Sequence, residues 1–338
     1  MKYQDAFLQA VSISSSGPPR ALRDRYDVGL FCPSWDARCR SILAVAEVAW
    51  DISIVLELES DDPEGHRAQN FRDVERFVKE RSGEVIICKG ESVNTAALWE
   101  KLHVALRGAW GDRRSSSMFI DYSTCPRFYS LGSFAVGVSS GRVGVVDFFY
   151  NEAEYTKTST EGEYEDYPFS SGRWQVVPIH GLQGSFRPTA PKLFVVSAGF
   201  QGDKTARVLS REDPHRVSLL MPIPGTVLEY DAEVRARNDD IVRTYLIPGE
   251  QIIEAAAGDA VAAWKRLGKA GLERFEEEDV YYLCCGTKPH SLALALRSIT
   301  TTHPTVLYNI PERFNYVPVV PTGRSWVYKI RDLSSLLY

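Results

Sequence analysis

The feature that most restricts this chain is that its two halves read as diverged copies of one another. Ala97-Leu98-Trp99-Glu100-Lys101-Leu102 returns as Ala262-Ala263-Trp264-Lys265-Arg266-Leu267, in the frame Ala-x-Trp-charged-basic-Leu. Apolar runs at 28–32 and 193–196, 52–56 and 217–221, 84–88 and 251–254, 118–121 and 281–284, and 144–150 and 305–308 pair off in the same order. Between the runs Asn70 matches Asn238, Thr124 and Pro126 match Thr287 and Pro289, and Tyr150-Asn151 matches Tyr308-Asn309. The tails around Trp174 and Trp326 agree as well. A repeat this long means two domains and not a solenoid.

Short apolar runs alternating with helical patterns imply mostly parallel sheets covered on both faces. Right-handed crossovers then limit the topology. The expected fold is α/β, with two tandem, internally duplicated, doubly wound domains. Each has strand order 3-2-1-4-5, with an extra strand near Trp174 and near Trp326. Domain 1 is expected over residues 1–155, a linker with its extra strand over 156–190, and domain 2 over 191–338. The linker's run at 156–166 is polar and reads as a surface excursion. In copy one, an apolar helical pattern is expected to run through Ile42 to Trp50.

The chain has 338 residues, 44% of them apolar and 25% charged, as in ordinary globular proteins. Its net charge of −5 lacks the basic excess that non-specific nucleic-acid binding needs. No apolar run approaches the roughly 20 residues that span a bilayer. Lys2, Gln4 and Asp5 make the start unlike a signal peptide, so a cytoplasmic protein without a membrane partner is expected. The six cysteines form no CxxC pair and read as reduced, buried thiols; the six histidines show no ligand spacing. Neither a metal centre nor a cofactor is expected. Trp99 and Trp264 read as core. The acidic run at 273–279 reads as a solvated loop, with a metal or partner site as its alternative.

In open α/β sheets ligands bind beyond the carboxyl ends of the strands, where the strand order reverses. Here that point lies between strands one and four of each copy. In copy one the loops there carry Ser34, Asp36 and Arg38 facing Ser123, Thr124 and Arg127. In copy two they carry Ser197, Gly199, Gln201 and Asp203 facing Gly286, Thr287, Lys288 and His290. Each loop opens a helix, whose first N–H groups favour anions, and small residues permit close approach. In Gly286-Thr287-Lys288-Pro289 the glycine permits a tight turn, threonine caps or binds an oxygen, and lysine supplies charge. Proline suits a first helical turn. The same four residues also describe a well-capped helix start. Asp121 ends the fourth strand of copy one, where a carboxylate orients a ribose, acts as a base or caps a helix. Asn70 and Asn238 begin a helix, hold a loop or touch ligand. Tyr150-Asn151 and Tyr308-Asn309 meet a nucleobase or close the sheet edge.

A strand followed by a Gly-Thr-Lys loop and an apolar helix resembles the Rossmann-like sensor domains of prokaryotic defence, the CARF group. The two-copy layout resembles a fused version of their dimer. The resemblance implies that the loop at 285–291 contacts a cyclic oligonucleotide. Copy one departs from it, with Ser123-Thr124-Cys125 in place of Gly-Thr-Lys. No effector segment of the family's kind is evident, so a separately encoded effector or protein partner is expected. The expected function is a nucleotide-binding or anion-binding signalling component of a bacterial antiviral defence system. One alternative is a nucleotide-processing enzyme, a ring-nuclease-type phosphodiesterase or glycosyl hydrolase, using Asp36, Asp121, Ser123 or Lys288. Another is a scaffold subunit. Because Lys288 exists on one side only, the stronger site is expected in the second domain. The candidate ligand residues are Gly286, Thr287, Lys288, Ser34, Asp36, Arg38, Asp121, Ser123, Thr124, Arg127, Gly199 and Asn309.

Overall fold

A computed structural model describes residues 8–13, 22–44, 47–59, 62, 65–91, 95–155, 158–159, 165–166, 169–274, 276–301, 304–317, 319–331 and 333. Most of the polar run at 156–166 lies outside the described residues. The first half holds β1 (Leu8–Ile13), β2 (Arg25–Phe31), β3 (Ala49–Glu59), α1 (His66–Lys79), β4 (Ser82–Glu91), α2 (Thr95–Trp110), β5 (Ser116–Asp121), α3 (Arg127–Ser139) and β6 (Val143–Tyr155). A short pair, β7 (Thr158–Ser159) and β8 (Glu165–Asp166), and β9 (Ser170–Pro178) follow. The second half holds β10 (Lys192–Ser197), α4 (Gly202–Glu212), β11 (Arg216–Pro222), α5 (Glu229–Thr244), β12 (Ile252–Ala255), α6 (Ala260–Ala270), β13 (Asp279–Cys284), α7 (Lys288–Thr301), β14 (Thr305–Phe314) and β15 (Val319–Ile330).

The fold is α/β, with two Rossmann-like units built on mostly parallel sheets. One sheet runs β4-β3-β2-β5-β6-β15-β1 and the other β12-β11-β10-β13-β14-β9. Both contain the order 3-2-1-4-5, with parallel pairing through the central strands. The recurrence of one order supports internal duplication.

The sixth strands are exchanged. Unit 1 comprises residues 1–171 and 312–338, and unit 2 comprises 172–311. The strand that follows copy two, β15, pairs antiparallel with β6 of copy one, whereas β9, which follows copy one, lies beside β14 of copy two. Residues 312–338, expected in domain 2, therefore belong to unit 1. Each strand also serves its adoptive core. Val327 of β15 packs with Tyr26, Phe31, Trp50, Phe119 and Phe149, and Trp174 and Val176 of β9 pack on Phe194, Leu209 and Leu307. Buried Asp147 on β6 accepts from Tyr26 at 2.6 Å and pairs with Arg331, just beyond β15, at 2.6 Å.

Two further expectations change. The helix expected to reach Trp50 is a 3-10 turn over Ala37–Ala44, and Ala49 and Trp50 already belong to β3. Trp50 is buried edge-on against Phe31, a position on the pleated face that suits an aromatic better than helix does. The acidic run is not uniformly solvated. The Glu273 carboxylate is 1% exposed and holds Tyr282 and Arg297, and Glu278 takes Arg216 through both oxygens. Burying a carboxylate requires such partners. Trp99 and Trp264 are buried as expected of core. No helix among the described residues is long and apolar enough to cross a membrane.

Candidate functional site

In unit 2 the tips of β10 and β13 meet backbone against backbone. A Cβ on Gly199 would lie 2.7 Å from the Cys285 carbonyl oxygen, and one on Gly286 would lie 2.2 Å from that of Ala198. Only glycine permits either approach. Ser197, at the end of β10, accepts the Gly286 N–H on its Oγ at 2.9 Å. Asn238 of α5 donates to the Gly199 carbonyl at 2.9 Å, so the first loop is held from both sides.

α7 starts directly after this crossing. Thr287 caps it: its Oγ1 accepts from the His290 N–H at 3.4 Å, and its carbonyl accepts both the N–H and the hydroxyl of Ser291. Lys288, half-buried, is the first helical residue. His290 is fully buried with Nε2 at 3.2 Å from the Ala256 carbonyl. Burial pushes its pKa down to about 4, against the carbonyl contacts and Asp259, which favour the charged ring. His290 is thus neutral at neutral pH, and Lys288 carries the cationic charge of this loop. Asn309, in the middle of β14, is 7% exposed. Its Nδ2 donates to Cys285 Sγ at 2.9 Å, while its Oδ1 has no hydrogen-bond partner. A buried amide oxygen left so costs about 1–3 kcal/mol.

Unit 1 builds the same place with different side chains. Asp36 and Arg38 are buried against one another. The Arg38 Nη2 lies 2.6 Å from Asp36 Oδ2, its Nε donates to both carboxylate oxygens, and its Nη1 reaches the Asn151 carbonyl. Burial opposes the guanidinium charge, but Asp36 outweighs it and raises the Arg38 pKa further. Ser123 Oγ accepts both the backbone N–H and Nδ2 of Asn151, and Ser325 donates to Asn151 Oδ1. The Ser123 N–H donates to Asp121 at 3.1 Å. Thr124 hydrogen-bonds the Cys32 carbonyl at 2.6 Å, tying the two tip loops together. Asn70 donates to the Ser34 carbonyl at 2.8 Å, as Asn238 does to Gly199. Both asparagines are loop holders.

The structure therefore gathers Ser34, Asp36, Arg38, Asp121, Ser123, Thr124 and Arg127 at one strand-tip end, and Gly199, Gly286, Thr287, Lys288 and Asn309 at the other. In unit 1, Asp36 and Arg38 are directed at each other and Ser123 at Asn151, and these contacts fix the loops. Thr287 spends its hydroxyl on the helix. Tyr150 is stacked within the protein on Tyr328. Cys285 is half-exposed, and the other five cysteines are buried. Sequence reasoning placed Cys285 in the loop at 285–291 and read its thiol as buried with the others; the structure leaves it half-exposed. Among the described residues no group of His, Cys, Asp and Glu side chains is placed to hold a metal ion. Comparison with protein-family models and with curated proteins finds no match to this sequence.

Proposed function

We propose that unit 2 binds a nucleotide-like anion at the tips of β10 and β13, as the sensing component of a bacterial antiviral system whose effector is a separate protein. The observation that carries this reading is the crossing of Gly199 and Gly286 beside the start of α7 at Lys288. The crossing brings the two loops together beside the positive end of a helix dipole and a lysine, a combination that favours an anion. In unit 1 the corresponding loops carry Asp36 and Arg38, paired with each other. The resemblance to defence sensors gives the ligand class to try first.

Calorimetric titration of the full chain with nucleoside triphosphates, cyclic dinucleotides and cyclic oligonucleotides tests this. Lys288→Ala is expected to weaken binding about tenfold or more, which is about 1.4 kcal/mol, and Arg127→Ala to change it by less than about twofold. Equal losses in the two variants, or no binding by any of these ligands, would overturn the assignment. Recovering the bound nucleotide intact supports a sensor; its conversion, lost in Lys288→Ala, would replace the sensor with an enzyme.

A further inference from the structure

We propose that Trp35 and Phe200 are matched stacking platforms, each of which takes the flat ring of a nucleobase; the unit 2 half rests on the anion-binding reading above and adds a base to its ligand. The two rings occupy one position of the duplicated module. Asn70 donates to the carbonyl of Ser34 and Asn238 to that of Gly199, and the aromatic residue comes next in each loop. It lies just beyond β2 in one unit and just beyond β10 in the other. Both rings are half-buried, and neither belongs to the core around Trp50 or to the core around Phe194.

Each ring is held by a second one. Trp35 meets Tyr316 and Phe200 meets Tyr230, in both cases edge-on with centroids 5.0 Å apart. The tyrosines come from different places, Tyr316 from the segment after β14 and Tyr230 from the first turn of α5. The tip loops otherwise differ, with Asp36 and Arg38 where the second copy has Gln201 and Asp203. Both nevertheless carry one device, an aromatic ring set by an edge-on tyrosine.

A part-exposed ring already fixed in place loses little freedom when a planar ligand stacks on it, and every base has a face to offer. In unit 2 the residue before the platform is Gly199, packed on the loop that leads to Lys288. Ring and cation thus flank one crossing, and a molecule that carries both a base and a phosphate meets both. In unit 1 Arg38, close beyond Trp35, is paired with Asp36, so the platform there takes a ring without calling for a phosphate.

The test is calorimetric titration of the native full-length protein with ATP, inorganic tripolyphosphate and adenosine. ATP is expected to bind about tenfold more tightly than tripolyphosphate, which brings phosphates without a base. Phe200→Leu is expected to erase that advantage and to leave tripolyphosphate binding unchanged. In the Phe200→Leu protein adenosine is still expected to bind, at Trp35; adding Trp35→Leu weakens it about tenfold, and adding Trp35→Phe does not. Saturation-transfer NMR on the wild type needs no variant: saturation of the protein is expected to reach adenosine H2 and H8 more strongly than the ribose protons. No adenosine binding, stronger transfer to the ribose, or adenosine binding untouched by the two leucine substitutions overturns the proposal. An ATP advantage that survives Phe200→Leu overturns its unit 2 half. Failure of tripolyphosphate to bind removes the anion reading, and with it the joining of base to phosphate, while adenosine still decides the two rings.

Discussion

Unit 1 and unit 2 share a strand order and differ in what they place at the strand tips. Unit 1 fills the switch point with its own charges: Asp36 holds Arg38, and Ser123, Asn151 and Ser325 complete a chain of hydrogen bonds. Unit 2 puts backbone there, with Gly199 against Cys285 and Gly286 against Ala198. Their cores differ in the same spirit. Unit 1 is built on Tyr26, Phe31, Trp50, Phe119 and Phe149, and unit 2 mostly on aliphatic side chains around Phe194. The two copies thus keep one sheet order while one joins its strand-tip loops through paired side chains and the other through backbone packed on backbone. The exchange of β9 and β15 adds that neither copy is completed by its own sixth strand.

The largest effect that can break this comparison comes from that exchange. A chain ending at Pro311 lacks β15, which removes Val327 from the unit 1 core and Arg331 from buried Asp147. The loss is expected to exceed about 5 kcal/mol, enough to unfold a unit of ordinary marginal stability. Hydrogen exchange is expected to show β2 and β5 unprotected while β10 and β13 remain protected. Damage confined to unit 2 would mean that β15 belongs there after all.

Next comes the closed crevice itself. Asp36 and Arg38 side chains are 6% and 8% exposed. Arg38→Ala leaves a buried carboxylate without its counter-ion and is expected to cost about 3–5 kcal/mol in urea unfolding. The double variant Asp36→Asn with Arg38→Met removes both charges and is expected to recover most of that. A loss below about 1 kcal/mol for Arg38→Ala, the range of an exposed ion pair, would remove the contrast between the units.

His290 has no counterpart in unit 1, where Arg127 takes its place. Its folded pKa of about 4 lies below the 6.5 of an unperturbed histidine. The unfolded chain therefore binds the extra proton first. The stability from a neutral His290 is fully present above pH 6.5 and is lost as pH falls through 4, by about 3 kcal/mol in all. Gln keeps a donor for the Ala256 carbonyl and does not titrate. The difference between wild-type and His290→Gln unfolding curves is therefore expected to fall across that window. A flat difference would mean that the ring is solvated.

How much of this was readable in advance follows from which interactions are local. The order 3-2-1-4-5 needs only runs, spacing and handedness, and it was legible in both copies. Asn70 and Asn238 were recognised as equivalent, and the structure makes both loop holders. What escaped depends on partners far away in the chain. Nothing near Trp326 says that its strand will pair with β6 and not with the sheet of its own copy. Nothing near Glu273 says that Tyr282 and Arg297 will bury it. At the site, Asp36 and Arg38 read as ligand groups because sequence shows two charges two residues apart and not that one is folded onto the other.

The smallest effect sharpens the comparison most, because it uses matched residues. Asn151 and Asn309 lie in equivalent strands. Asn151 is satisfied at both ends, so Asn151→Ala strands the hydroxyls of Ser123 and Ser325 and is expected to cost about 1–3 kcal/mol. Asn309 already leaves one polar atom without a partner, so truncating it removes a penalty along with a contact. Asn309→Ala is expected to change stability by less than about 0.5 kcal/mol. If the two variants lose equal stability, unit 2 is as closed as unit 1, and its amide serves the fold. If Asn309→Ala is neutral in urea while Asn151→Ala is not, the difference between the two strand-tip ends extends to their matched amides.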